Sequence, residues 1–464
     1  MTSPESRHTL TEAAERLIGL LAALPEQKPE SPVRVAVGID EVNLLSWLQA
    51  QHATTKVYWR SRDENLEIAA IGATHTVSGN SGVDLDHDLS DLPHHLNSTQ
   101  SSVRYIGGIR FDITTLVEQR DDCWQGFSGY RFILPQIELI RRDNTTELAV
   151  NVHPDRIQDI SAIMQLLKNI APPSSNDESL SFAISTRTDT PDKSSWSRAV
   201  EQALELFGTT ELSKIVLARR SDFSSTHSFD PWQLLAGLQQ TSTGCTLFGF
   251  SFDGKTTFLG ATPERLYARN GSQVSTEALA GTRPRGEDAS KDKLLEAELL
   301  GSEKEQREHS YVARGVFASL VPLSLSVMAS KSPTIVKLAR VQHLKTPIEA
   351  SLQHDTTDSD LLTALHPTAA VNGQPRDLAL KLLQTIEPFD RGWYAAPVGW
   401  LSKESAEFAV AIRSGLVNGS HLALFAGAGI VEGSSPDNEW SELDNKLSAF
   451  LQAIDTSTKP SVTE

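Results

Sequence analysis

The chain has 464 residues, 39% hydrophobic and 22% charged, a globular composition that excludes wholesale disorder and fibres. Its 42 basic and 59 acidic residues leave a net charge of −17, which argues against nucleic acid and against a bare anionic membrane surface as partners. A small anionic substrate stays open, since a few cations can converge inside an acidic protein.

Length alone suggests about two or three domains. Cys123 and Cys245 form no CxxC or CxxxC pair, so no thiolate zinc site or disulfide framework is expected, and a reducing cytoplasm suits them. The N-terminal stretch lacks the basic start and apolar block of a signal peptide. Its apolar residues are interrupted by Glu and Arg at helical spacing, which predicts an amphipathic helix followed by a linker over 25–33. No window offers 18 uncharged apolar residues, so no transmembrane helix is expected.

From Val33 to Thr76 short apolar runs, among them VRVAVGI and KVYWRS, read as strands. The polar, acidic stretch 78–96 reads as a surface excursion. RYIGGIRF and RFILPQIELIRR are strands again. Residues 171–193, rich in Pro, Ser, Thr and Asp, read as a domain boundary or a surface connection. A helix follows, capped by Ser194 or Ser195, with Trp196, Val200, Ala203, Leu204 and Phe207 as its apolar stripe and Gly208 as its end. KIVLARR is then a strand. Beyond it strands and helices mix without regular βαβα alternation, which favours α+β. No GxGxxG or Walker A motif is present.

Several polar residues of the C-terminal half are unusual for a core. Lys214 opens an apolar strand. Pointing inward it is a buried ammonium and a potential base; at the strand end it reaches solvent. Glu264 follows Pro263 and is either a buried general acid or a helix-start carboxylate. Glu305 and Glu308 share one helical face, as do Glu439 and Glu442, with Lys446 one turn on. These are solvated faces, or carboxylates gathered around Mg²⁺. ALAGTRPRG and FAGAGIVEGSSP are strand and turn packing, or places where backbone approaches a ligand. Arg413 interrupts an apolar strand and calls for a carboxylate partner, internal or on a ligand. His343 and His366 read more readily as core or turn histidines than as catalysts.

Nine segments then occur in one order: KIVLARR, GATPERL, TEALAGTRPRG, SEKEQREH, VQHLKTPIEASL, LHPTAAVNGQP, EPFDRGWYAAPVGW, FAVAIRS and AGAGIVEGSSPDNEWSELDNK. Together they resemble the chorismate-utilising enzymes over about residues 195–452: isochorismate synthase, salicylate synthase, and the component I subunits of anthranilate and aminodeoxychorismate synthase. Within that family Lys214 resembles the water-activating base of the isochorismate and salicylate synthases. Ala370 stands where isochorismate synthases tend to carry alanine and salicylate synthases threonine. The N-terminal half, with its W-L…YW-x-x-R…A-x-G-A pattern, resembles the menaquinone-type and siderophore-type isochorismate synthases.

The resemblance implies one large α+β domain over 1–464, with two antiparallel sheets packed face to face and helices outside. Its parts are an N-terminal helix and linker (1–32), the N-terminal half of the fold (33–193), the motif region (194–454) and a flexible tail (455–464). The segment 171–193 is then a connection within one domain. The implied reaction is chorismate to isochorismate, with Lys214 activating water and Glu264 protonating the leaving hydroxyl. Glu308 and Glu442 would bind Mg²⁺, supported by Glu305 and Glu439. Arg413 and Tyr394, with backbone N–H groups near Gly427, would clamp the enolpyruvyl carboxylate. Lys446 would face a carboxylate or Glu442. Gly281 and Thr282 would line the leaving-hydroxyl side, and His343 would sit beside the ring. The partners expected are chorismate and isochorismate, with no nucleic acid, membrane or glutaminase subunit, in a monomer or homodimer. Salicylate synthase, a component I enzyme and a non-catalytic binding relative are the competing readings.

Overall fold

The computed structural model describes residues 8–25, 27–96, 102–114, 121–173, 184–338 and 341–456. Twenty strands form one hydrogen-bonded network whose strand pairs are all antiparallel among these residues. Its branch point is the strand Tyr130–Arg142. One edge of that strand pairs with Leu66–Gly79. The other edge is shared: its first residues pair with Tyr105–Ile109 and its last with Thr145–Val152. Thirteen residues span about 43 Å, long enough to hold two neighbours side by side.

Two runs leave this branch. The first passes through Leu66–Gly79, Lys56–Arg60, Thr246–Ser251, Thr256–Thr262, Ser414–Asn418 and His421–Ile430 to Lys214–Ser225. The second passes through Tyr105–Ile109, Pro397–Leu401, Ser405–Val410, Arg265–Asn270 and Gln273–Pro284 to Val341–Leu352. The fold is the expected α+β domain with antiparallel sheets, the two joined through their shared strand. The length-based count of two or three domains fails for the same reason: one ladder system runs through both halves of the chain.

Two segments cross from one run to the other, and they place the chemistry. Thr256–Thr262 continues through Pro263 and Glu264 into Arg265–Asn270. Ser405–Val410 continues through residues 411–413 into Ser414–Asn418. Pro263 has no N–H to give a ladder. Arg413 has φ 49°, a conformation that no regular strand holds. The crossings bind each other: Ala261 N–H donates to Arg413 O (3.1 Å) and Val410 N–H to Glu264 O (3.0 Å).

The helix Leu10–Ala22 forms as its pattern predicts. Thr9 and Glu12 make a capping box, and Ala13, Ala14, Leu17 and Leu21 are buried. The stretch 78–96 departs from its expectation. It holds the helix Gly82–His95, which buries Leu85, Leu89 and Leu92 and packs on Asp358–Leu365. The leucines recur at helical spacing beneath a mostly acidic surface, and composition hid them.

The helix after residue 192 spans Lys193–Thr209, and Asp192 caps it instead of Ser194 or Ser195. The Asp192 carboxylate, two residues before Ser194, already accepts from the Ser195 N–H (2.7 Å). The helix runs past Gly208 to Thr209. Within 171–193, Ile184–Thr190 is an edge strand on Lys214–Ser225, while 174–183 lies outside the described residues. Of the tail, 455–456 ends the helix Pro436–Thr456 and 457–464 lies outside the described residues. No helix among the described residues is long and apolar enough to cross a membrane.

Candidate active site

Lys214 is the first residue of its strand, and Ile215, Val216 and Leu217 beyond it are buried. Both edges of the strand are covered there, by Gly373–Gln374 and by His421–Ile430, so the inward reading holds. The side chain is fully buried and its Nζ donates to Glu308 Oε1 at 3.0 Å. Glycine at position 429 makes room for this pair. A Cβ there would lie 2.5 Å from Glu308 Oε1 and 3.2 Å from Lys214 Cε.

Glu264 lies on the crossing segment, buried, with its N–H on Thr262 Oγ1 at 3.2 Å. Burial pushes its carboxyl up to about 8, against the pull of Lys214 and Lys446 and with the push of Glu277. At neutral pH burial keeps it protonated.

One cavity brings the predicted residues together. Its walls carry Glu264, Gly281, Thr282, Glu305, Glu308 and His343, and also Ala370, Tyr394, Arg413, Gly427, Glu442 and Lys446. Lys214 and Glu439 stand just behind the wall. Lys214 is reached through Glu308. Glu439 is buried against Lys304, whose Nζ lies 2.9 Å from its Oε1.

Arg413 has no carboxylate partner among the described residues; its Nη2 donates to His343 Nε2 at 3.2 Å. A guanidinium only donates, so Nε2 carries no proton. The proton is on Nδ1, which faces Gly281 O (3.2 Å) and Thr282 Oγ1 (3.0 Å). Burial, then the charges of Arg413 and Lys446, push this imidazole down to about 3, so it stays neutral. His343 is thus held between the Arg413 guanidinium and the Gly281–Thr282 turn.

Tyr394 stacks on Phe425, centroids 5.1 Å apart, and burial keeps its phenol protonated. A Cβ on Gly427 would come within 2.9 Å of the Tyr394 hydroxyl. The Gly427 carbonyl accepts from Lys446 Nζ at 2.8 Å. Lys446 also pairs with Glu442 at 2.6 Å. Gly281 has φ +77°, a left-handed turn that favours glycine. It turns the next N–H, of Thr282, onto Glu305 Oε2 at 3.2 Å.

All four predicted carboxylates hold cations: Lys214 on Glu308, Lys446 on Glu442, Arg283 on Glu305 and Lys304 on Glu439. Burial opposes the charge on Glu442, yet Lys446, Lys304 and Lys214 hold it below the usual carboxylate range. Burial raises the Glu439 carboxyl despite Lys304. No three metal-ligating side chains converge among the described residues. Magnesium does not need three: one or two carboxylates suffice when water and substrate oxygens complete its shell. Glu308 and Glu442, both on the cavity wall, fit that requirement.

Lys304 and Arg283 escaped the sequence reading although both lie in its motifs. Lys304 stands one turn before Glu308, which is the available signal. His366 donates from Nε2 to Phe111 O (2.9 Å) and takes no part in the cavity, as read.

The sequence pattern of the family described as "Chorismate binding enzyme" matches residues 19–455. The chain belongs to that family. It is 32% identical to isochorismate synthase MenF of Escherichia coli (strain K12) over 95% of this chain and 98% of that one. It is 32% identical to isochorismate synthase MenF of Haemophilus influenzae over 95% and 96%. A solved structure described as MenF, the menaquinone-specific isochorismate synthase from Escherichia coli, matches with TM-score 0.85 at 29% identity, covering 96% of this chain and 99% of that chain. A family of chorismate-binding enzymes suits a cavity whose guanidinium has no carboxylate partner among the described residues, since chorismate is a dicarboxylate.

Proposed function

We propose that this family member is an isochorismate synthase, dependent on Mg²⁺ and serving menaquinone biosynthesis. The observation that carries the reading is Glu264: a buried carboxyl that keeps its proton, on a cavity shared with Arg413 and backed by Lys214.

Arg413 and the Tyr394 hydroxyl would bind the enolpyruvyl carboxylate, with Lys446 adding charge. Glu308 and Glu442 would hold Mg²⁺, which supplies charge neutralisation for the ring carboxylate. Lys214 Nζ takes a proton from water, whose oxygen attacks ring carbon C2. The double bonds shift and Glu264 donates its proton to the departing C4 hydroxyl, which leaves as water. One water enters and one leaves, so the composition is unchanged and the step is reversible. Lys214 acts as the base in its neutral form, and Glu308, which accepts from its Nζ at 3.0 Å, would also be a Mg²⁺ ligand. The apolar walls Val216, Ile412 and Phe425 limit stray water near the ring.

Free thiols at Cys123 and Cys245 support a cytoplasmic setting. A monomer or homodimer is proposed, without a glutaminase subunit. The test is purified protein with chorismate and Mg²⁺, with and without EDTA and ammonium, and separation of products. Isochorismate approaching a fixed ratio with chorismate, absent with EDTA, is the expected result. Salicylate with pyruvate, or an ammonium-dependent product, would overturn it.

A further inference from the structure

The YW-x-x-R pattern of the N-terminal half has no part in this chemistry so far. Its arginine, Arg62, lies just beyond the strand Lys56–Arg60 and reaches the crossing segment of Glu264. Arg62 Nη1 donates to Pro263 O at 3.0 Å, one residue before the acid. The same Nη1 holds Glu277 Oε1, and Nη2 donates to Glu277 Oε2 at 3.1 Å. Lys345 Nζ completes this cluster at 2.7 Å from Glu277 Oε2. Three acceptor oxygens thus share one planar fork, a geometry that a lysine cannot reproduce. The side chains of Arg62 and Glu277 are 14% and 5% exposed, so water screens the pair little.

We propose that Arg62 is a positioning residue for the catalytic acid: it fixes the Pro263 carbonyl so that Glu264 faces the cavity, and it neutralises Glu277 behind it. The inference rests on Glu264 being the acid. The charged groups that act on Glu264 are Lys214, Glu277 and Lys446. Burial opposes ionisation of Glu277, but Arg62 and Lys345 hold its carboxyl below the ordinary range. Without Arg62, Glu277 keeps only Lys345 and Glu264 feels more negative potential. Glu264 then holds its proton to higher pH, and its carboxyl is less well aimed. A shift of about 1 Å in a reacting group can cost about 10²-fold in rate.

The experiment measures kcat, KM and the pH profile for Arg62→Ala, Arg62→Lys, Arg62→Ala/Glu277→Gln and Glu264→Gln, each with a thermal melt. Arg62→Ala should lose about 10- to 100-fold in kcat with KM nearly unchanged, and its alkaline limb should move to higher pH. The double variant should return the limb to its wild-type position while kcat stays low, because the Pro263 bond is still missing. Arg62→Lys keeps the charge and loses the fork, so kcat falls with the limb in place; it serves should Arg62→Ala not fold. Wild-type kcat in Arg62→Lys, or a limb in the double variant displaced as far as in Arg62→Ala, would overturn the inference. Wild-type turnover in Glu264→Gln would instead remove the acid assignment, whatever Arg62 does.

Discussion

Lys214 Nζ and Glu308 Oε1 are 3.0 Å apart, with the lysine wholly buried and the carboxylate at the cavity wall. The proposed base is thus separated from substrate by a proposed metal ligand. On the proposed mechanism this contact would link proton transfer to metal binding through one side chain. Lys214→Ala should lower kcat by about 10²–10⁴-fold. Chorismate binding, followed by calorimetry, should weaken far less, because Arg413 and Tyr394 remain. Equal loss of binding would make the lysine structural.

Gly429→Ala tests the same contact without touching either charge. The new methyl would collide with Glu308 Oε1 and crowd Lys214 Cε. Turnover should fall at least about tenfold, in keeping with the sensitivity of reacting groups to small displacements. The fold should persist, with a melting temperature lowered by overpacking that costs about 1–3 kcal/mol. An unchanged kcat would show that the pair can separate freely.

On the proposed mechanism, Glu264 sets the alkaline limit. Its protonated form is the active one, so kcat should decline as pH rises through about 8. The sign for stability is the same. The folded state holds a proton that the unfolded chain releases, so stability falls as pH climbs from about 4.5 to about 8. Glu264→Gln should abolish turnover by about 10²–10⁴-fold and should flatten that loss of melting temperature. A variant with near-wild-type kcat would refute the acid role.

His343 stays neutral down to about pH 3, so it contributes no acidic limb between pH 5 and 7. Replacing it by Phe removes the acceptor for Arg413. A hydrogen bond to a charged group contributes about 1.5–3 kcal/mol, so KM for chorismate should rise about tenfold or more. A change confined to kcat would point instead to proton transfer at His343.

Metal removal separates the carboxylates. Chelation should abolish activity and added Mg²⁺ should restore it. Glu308→Gln and Glu442→Gln should each weaken Mg²⁺ affinity by about 10- to 100-fold, measured by titration of activity and by calorimetry. Glu439→Gln should act mainly on stability, because Glu439 is buried against Lys304 behind the wall. Equal Mg²⁺ affinity in the Glu308 and wild-type proteins would exclude that ligand.

Much of the site was legible because its residues are chemically out of place in their segments. A lysine at the head of an apolar strand, an arginine inside another, and a glutamate after a proline each break a local pattern. Their order along the chain then resembled one family. The helix Gly82–His95 was not legible for the opposite reason: its leucines are diluted by acidic residues that face water. The Asp192 cap was missed because two serines beside it offer the same chemistry.

Hydrophobic periodicity determined, from sequence alone, an α+β chain, and the order of its motifs, through a family resemblance, pointed to Lys214, Glu264, Arg413 and the paired glutamates as its candidate chemical groups. The patterns themselves are local, written in the spacing of residues a few positions apart. The tertiary structure decided the states of those groups. It buried Glu264 so that it keeps its proton, gave each of the four glutamates its cation, left Arg413 without a carboxylate among the described residues, and carried Arg62 from the N-terminal half to the Pro263 carbonyl. Burial and partnership depend on segments more than two hundred residues apart in sequence. Long-range strand pairing brings those segments together, and no local pattern records it.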